Sequence, residues 1–109
     1  MKKHLSYEFS DSDIEVMVFA LTVFPTLEIA ENETDESMVL NQCTSAIQKL
    51  INHEPRFSEH ELHIISASLD AVQFINQGKL NTTAEIKSEC SNYLFAINKL
   101  ASVFSDLFA

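Results

Sequence analysis

Residues 9–21 read FSDSDIEVMVFAL and residues 57–69 read FSEHELHIISASL, the same pattern displaced by 48 positions. Each stretch opens on a phenylalanine and a serine, and an acid follows the serine three places on: Asp13 after Ser10, Glu61 after Ser58. That order marks a helix start. The serine hydroxyl accepts from a backbone N–H that the first turn leaves unpaired, and the acid reaches back to the cap while sitting at the positive end of the helix dipole. Glutamate makes the full capping box; aspartate makes a shorter, weaker one. The phenylalanine before each cap suits the staple that sets the angle between chain and helix.

Behind both caps runs one apolar stripe. Ile14, Met17, Leu21 and Phe24 correspond to Leu62, Ile65, Leu69 and Val72, spaced three or four apart as on one face of a helix. Each copy then reaches a polar turn and a threonine, Thr34 or Thr82, and Thr82 with Glu85 makes a further capping box. The second helices end alike, AIQKL at 46–50 and AINKL at 96–100, a displacement of 50. The fold expected is all-α: a four-helix bundle built from two similar antiparallel α-hairpins, with helices at roughly 11–31, 35–53, 58–77 and 82–107. Residues 1–109 form a single domain, hairpin one spanning about 9–53 and hairpin two about 57–108.

Punctuation supports this division. Pro55 bars continuation of the second helix, and Gly78 supplies the left-handed residue that ends the third. Pro25 is the local misfit: it removes a backbone bond to Leu21 and should bend or break the first helix there, whereas Gln73 stands at the matching place in the second copy.

Charge narrows the function classes. The chain carries net charge −9, of which residues 1–48 contribute −7, and no Lys or Arg lies between Lys3 and Lys49. Such a surface cannot neutralise phosphates, which disfavours direct nucleic-acid binding and docking to anionic lipid. The apolar run from Val16 to Phe24 is far short of the ~20 residues that cross a bilayer, so no membrane role is expected. Acids also separate Lys2 and Lys3 from that run, unlike the layout of a signal peptide, so a cytoplasmic protein is expected. Cys43 and Cys90 have no C-x-x-C spacing, and each falls on an apolar helical stripe, as buried reduced thiols do.

Chemistry-bearing motifs are few. Glu59, His60 and His63 sit three or four apart and are the one weak metal-ligand set, but an exposed, well-capped first turn explains them as well, and no metal or cofactor is expected. The sequence has no Gly-rich phosphate loop and no nucleophile with an identifiable base, which argues against an enzyme. A metal-dependent helical-bundle enzyme is the least favoured alternative. Two features point to protein partners instead. The first helix carries Val18 and Phe19 where the second copy has Ser66 and Ala67, and Val16, Val18, Phe19 and Val23 form a second apolar seam suited to a protein partner or a homodimer. The acids Glu28, Glu31, Glu33, Asp35 and Glu36 surround the first hairpin turn without a nearby base. They solubilise a tip or, as in acidic inhibitors of anti-restriction, anti-CRISPR or immunity type, occupy a basic nucleic-acid groove of an enzyme. The leading expectation is a small acidic, non-enzymatic interaction or regulatory protein that acts by binding another protein or itself, with the first helix as the candidate surface for self-association.

Overall fold

A computed structural model of the chain describes residues 9–27, 36–54 and 56–108. Among them every regular element is helical: α1 (Asp11–Val23) with a following 3-10 turn (Phe24–Thr26), α2 (Glu36–Ile51), α3 (Glu59–Asn76), α4 (Ala84–Asn92) and α5 (Leu94–Leu107). Both capping boxes form. Ser10 Oγ accepts from Asp13 N at 3.1 Å and Ser58 Oγ from Glu61 N at 3.1 Å. The return bonds differ as side-chain length dictates: Ser58 N donates to Glu61 at 2.7 Å, Ser10 N to Asp13 at 3.3 Å.

The first helix does not extend to residue 31. It stops at Val23, and Phe24–Pro25–Thr26 tightens into a 3-10 turn that ends at Leu27 in extended backbone. Pro25 has no N–H to return to Leu21, so the α-helical ladder cannot pass it. The fourth helix, expected unbroken over 82–107, is two. Its cap is Thr83, whose hydroxyl accepts from Ile86 N, rather than Thr82, so the Thr82–Glu85 box does not form. The break falls at Tyr93 (φ −100°, ψ 14°), with neither Pro nor Gly present. Asn76 of α3 supplies the cause: its side-chain amide donates to the Cys90 carbonyl at 2.9 Å, the acceptor that Leu94 N–H would take in a continuous helix.

Helix ends follow from backbone chemistry elsewhere too. Gly78 (φ 77°) closes α3, and Lys79 N–H reaches back to the Phe74 carbonyl at 2.9 Å. At the end of α2 the same reach, Glu54 N–H to Lys49 carbonyl at 3.0 Å, is made with His53 in the left-handed position (φ 54°).

α3 is the central helix, packed against α1, α2, α4 and α5. Phe9 meets Phe104, Asp13 meets Lys99 and Phe19 meets Tyr93, so α1 and α5 run antiparallel. His63 with Phe108 and Gln73 with Asn98 set α3 antiparallel to α5 as well, and Asn76 with Cys90 continues that order into α4. Hence α1 and α3 lie parallel. Ala20 and Ser68, 48 residues apart and both fully buried, hold equivalent places on these two helices. Ser68 satisfies its hydroxyl on the Ile64 carbonyl at 2.7 Å. The expected stripes line the core: Met17 and Leu21 from α1 and Phe24 from its 3-10 turn, with Ile14 partly buried against them, and Leu62, Ile65, Leu69 and Val72 from α3. Val39, Cys43, Ala46 and Leu50 join them from α2, and Ile97, Leu100 and Phe104 from α5.

Candidate interaction surface

The first helix presents less apolar surface than its sequence suggests. Val16 (2% exposed) and Val23 (4%) belong to the core, so they do not reach the outer face. Val18 and Phe19 are half-buried and packed against that core, and at the matching places in α3 Ser66 is half-buried and Ala67 packs against the core too. Phe19 has an intramolecular partner: its ring lies 5.3 Å from that of Tyr93, at the break between α4 and α5. The Tyr93 hydroxyl in turn donates to Glu15 at 3.3 Å, and burial together with that carboxylate pushes the phenol above its ordinary pKa.

Charge is organised by the two cap acids, a role the sequence reading missed. Glu61 is almost buried and accepts from Lys49 Nζ at 2.7 Å, from Ser45 Oγ at 2.6 Å and from its own cap, Ser58. Burial alone would push its pKa up, but these donors outweigh burial and hold it at about 2. Asp13 accepts from Lys99 Nζ at 2.9 Å, and that pairing, with Ser10, overcomes its burial and lowers it too. The pairs are reciprocal: the acid that caps α1 takes the lysine of AINKL on α5, and the acid that caps α3 takes the lysine of AIQKL on α2. A signal did exist, since the acids recur at a displacement of 48 and the lysines at 50.

Exposed apolar side chains gather on α2. Its inner stripe is Val39, Cys43, Ala46 and Leu50; one position round lies a second stripe, Leu40, Thr44, Ile47 and Ile51. Leu40 is 54% exposed, Ile51 58% and the neighbouring Met38 53%. Thr44 ties its hydroxyl to the Leu40 carbonyl at 2.8 Å. The exposed polar residues here, Asn41 and Gln48, are uncharged, and Lys49 is held by Glu61. Where α1 ends at its proline turn, a groove of about 400 Å³ opens between Leu21, Thr22, Pro25 and Thr26 on one side and Leu40 and Ile47 on the other. The 3-10 turn at Pro25 therefore shapes one wall.

Other candidates are dispersed or lie outside the described residues. Glu59, His60 and His63 are all exposed, and the His63 ring stacks on Phe108 at 4.1 Å. Among the described residues no group of three or more His, Cys, Asp or Glu is placed to hold a metal ion. Cys43 and Cys90 are free and buried, and burial pushes both thiols up to about 11. No described helix is long and apolar enough to cross a membrane. Of the acidic tip, Glu28, Glu31, Glu33 and Asp35 lie outside the described residues, as does the Glu36 side chain. A separate exposed aromatic, Phe95 (88%), stands beside Leu94 at the start of α5. Comparison with protein families, with curated proteins and with solved structures found no match.

Proposed function

We propose that this chain is a non-enzymatic interaction protein, a bundle of two like hairpins that binds another protein through the outer face of α2 and the groove beside it. The observation that carries this reading is the uncharged apolar stripe of Leu40 and Ile51, both more than half exposed, with half-buried Ile47 between them, on a molecule of net charge −9. Exposed large apolar residues on one helix face, next to a groove, are what partner helices or loops cover. The hairpin reading treats α4 and α5 as one bent arm, and it draws support from the reciprocal pairs Asp13–Lys99 and Glu61–Lys49. The surface moves from the first helix to the second because Val16 and Val23 are buried and Phe19 rests on Tyr93.

The rival is charge mimicry, in which the acids of residues 28–36 occupy a basic groove. Salt separates the two, since paired charges are screened whereas apolar burial is not. Affinity capture with the tagged chain from its native cell, at low and high salt, is the test. Apolar docking predicts a partner retained at about 0.5 M salt and lost with Leu40→Glu or Ile51→Lys. A partner that falls away with salt, ignores both substitutions and is lost when Glu28, Glu31, Asp35 and Glu36 are neutralised would establish mimicry instead.

A further inference from the structure

We infer that α4 and α5 form a hinged arm with two conformers: the bent one, latched by Asn76, and a straight one in which α4 lifts off α3 and continues the axis of α5. The sequence permits both. Ile86, Cys90, Tyr93, Ile97, Leu100 and Phe104 keep a spacing of three or four through the break, as in one helix, and residues 84–107 contain neither Pro nor Gly. The bend is therefore held from outside, by the Asn76 amide on the Cys90 carbonyl at 2.9 Å. Few other groups anchor α4. All of its residues are exposed except Cys90, which is fully buried, and Ile86, which is half-buried.

Register shows what the bend seats. Gln73 lies beside Asn98 on antiparallel helices, so Asn76, the last residue of α3, falls level with Phe95. In a straight arm Cys90 stands about 7 Å past the end of α3 and Ile86 about 13 Å past it, so both leave the cover they have in the bent arm. The pivot stays fixed meanwhile. The Tyr93 ring lies 5.3 Å from that of Phe19 and its hydroxyl donates to Glu15, contacts that hold the start of α5 against α1. The connection also allows the movement. From Asn76 to Ala84 the chain can span about 26 Å, whereas in the straight arm these residues are roughly 19 Å apart, about 16 Å along the axis and 9 Å across it.

Thiol exchange and a distance measurement on the full chain read the two conformers. A small neutral disulfide at pH 8, with mass spectrometry to separate the sites, should modify Cys90 about tenfold faster than Cys43 or more, both slowly beside the chain in urea. Below the unfolding transition the Cys90 rate should hardly respond to urea, since straightening exposes little surface, while the Cys43 rate climbs with global unfolding. Asn76→Ala removes one hydrogen bond from the bent form alone and should speed Cys90 about fivefold. Asn76→Asp keeps the shape but sets a carboxylate against the carbonyl, and should populate the straight arm most. Spin labels at Lys87→Cys and Ser105→Cys, both exposed positions, report it directly, because a brief reaction leaves the buried native thiols unlabelled. A straight arm separates the two backbones by about 27 Å, and any bend brings them closer. The expected result is a component near that distance, growing from the original chain to Asn76→Ala to Asn76→Asp at unchanged helical ellipticity. Equal rates and equal urea dependence at the two cysteines mean that only global unfolding opens the chain, and overturn the hinge. Exposure of Cys90 without the long distance, or with loss of helical ellipticity, means that α4 melts and overturns the straight conformer.

Discussion

Replacing Glu61 by Gln isolates the charge at the capped start of α3 while keeping side-chain size and an acceptor for Ser58. The carboxylate takes bonds from Lys49 (2.7 Å), Ser45 (2.6 Å) and Ser58 (2.7 Å) and is held at a pKa of about 2 against an ordinary 4.5. At about 1.4 kcal/mol per pH unit, that lowering corresponds to roughly 3 kcal/mol in favour of the folded, charged form. Its sign follows from proton uptake. Between pH 4.5 and 2 the unfolded chain binds the proton and the folded chain does not, so this stability is complete above about pH 5 and is lost as pH falls toward 2. Lys49 is partly open to solvent, which limits its share to about 1 kcal/mol. Urea unfolding followed by circular dichroism at pH 7 should therefore show Glu61→Gln less stable by about 2 kcal/mol. A double-mutant cycle with Lys49→Met should return about 1 kcal/mol of coupling. Repeated from pH 6 to 2.5, the substituted protein should show a flatter decline than the original. A loss below about 0.5 kcal/mol at unchanged m-value, with no coupling, would refute the claim that this acid joins α2 to α3.

His53→Gly removes a side chain from a left-handed residue and should raise stability by about 0.5–1 kcal/mol in the same urea assay. Asn76→Ala frees the Cys90 carbonyl, so the α4–α5 junction should gain helical hydrogen exchange protection at Leu94 while global stability falls by about 1 kcal/mol; unchanged exchange there would mean that Asn76 does not set the break. The thiols of Cys43 and Cys90, pushed up to about 11, should resist a thiol reagent at pH 8 in the folded chain and react at once in urea. Phe19→Ala should cost about 1–2 kcal/mol through its lost packing on Tyr93 and leave capture of any cellular partner unchanged; loss of capture without loss of stability would return the proposed surface to α1.

Much of the fold is legible in the residues because it is local. Ser-x-x-acid caps, three-and-four spacing and the positions of Pro25, Pro55 and Gly78 act within one turn of the chain, so the starts of α1 and α3, the stripes and the all-helical class follow from them. The end of α1 was visible in kind but not in place. Pro25 announces a disruption, but whether the chain bends and continues or leaves the helix depends on what Leu27 packs into, and Leu27 is buried in the core. The choice of Thr83 over Thr82 is a one-residue matter between equivalent hydroxyls.

What lies beyond the sequence is whatever depends on which helices become neighbours. Phe19 reads as surplus apolar surface on a helical wheel, because no wheel can contain Tyr93, 74 residues away. The same holds for Leu40 and Ile51: on a second stripe of α2 they look like more core, and only the placement of α1 and α3 on the inner side leaves them outside. The break at Tyr93 comes from a side chain on another helix, and the cap acids acquired lysine partners across the bundle. Backbone preference and capping act within a few residues and are written in the chain; burial is decided by the helices that arrive beside it, and so tertiary packing alone determined which apolar residues remained at the surface.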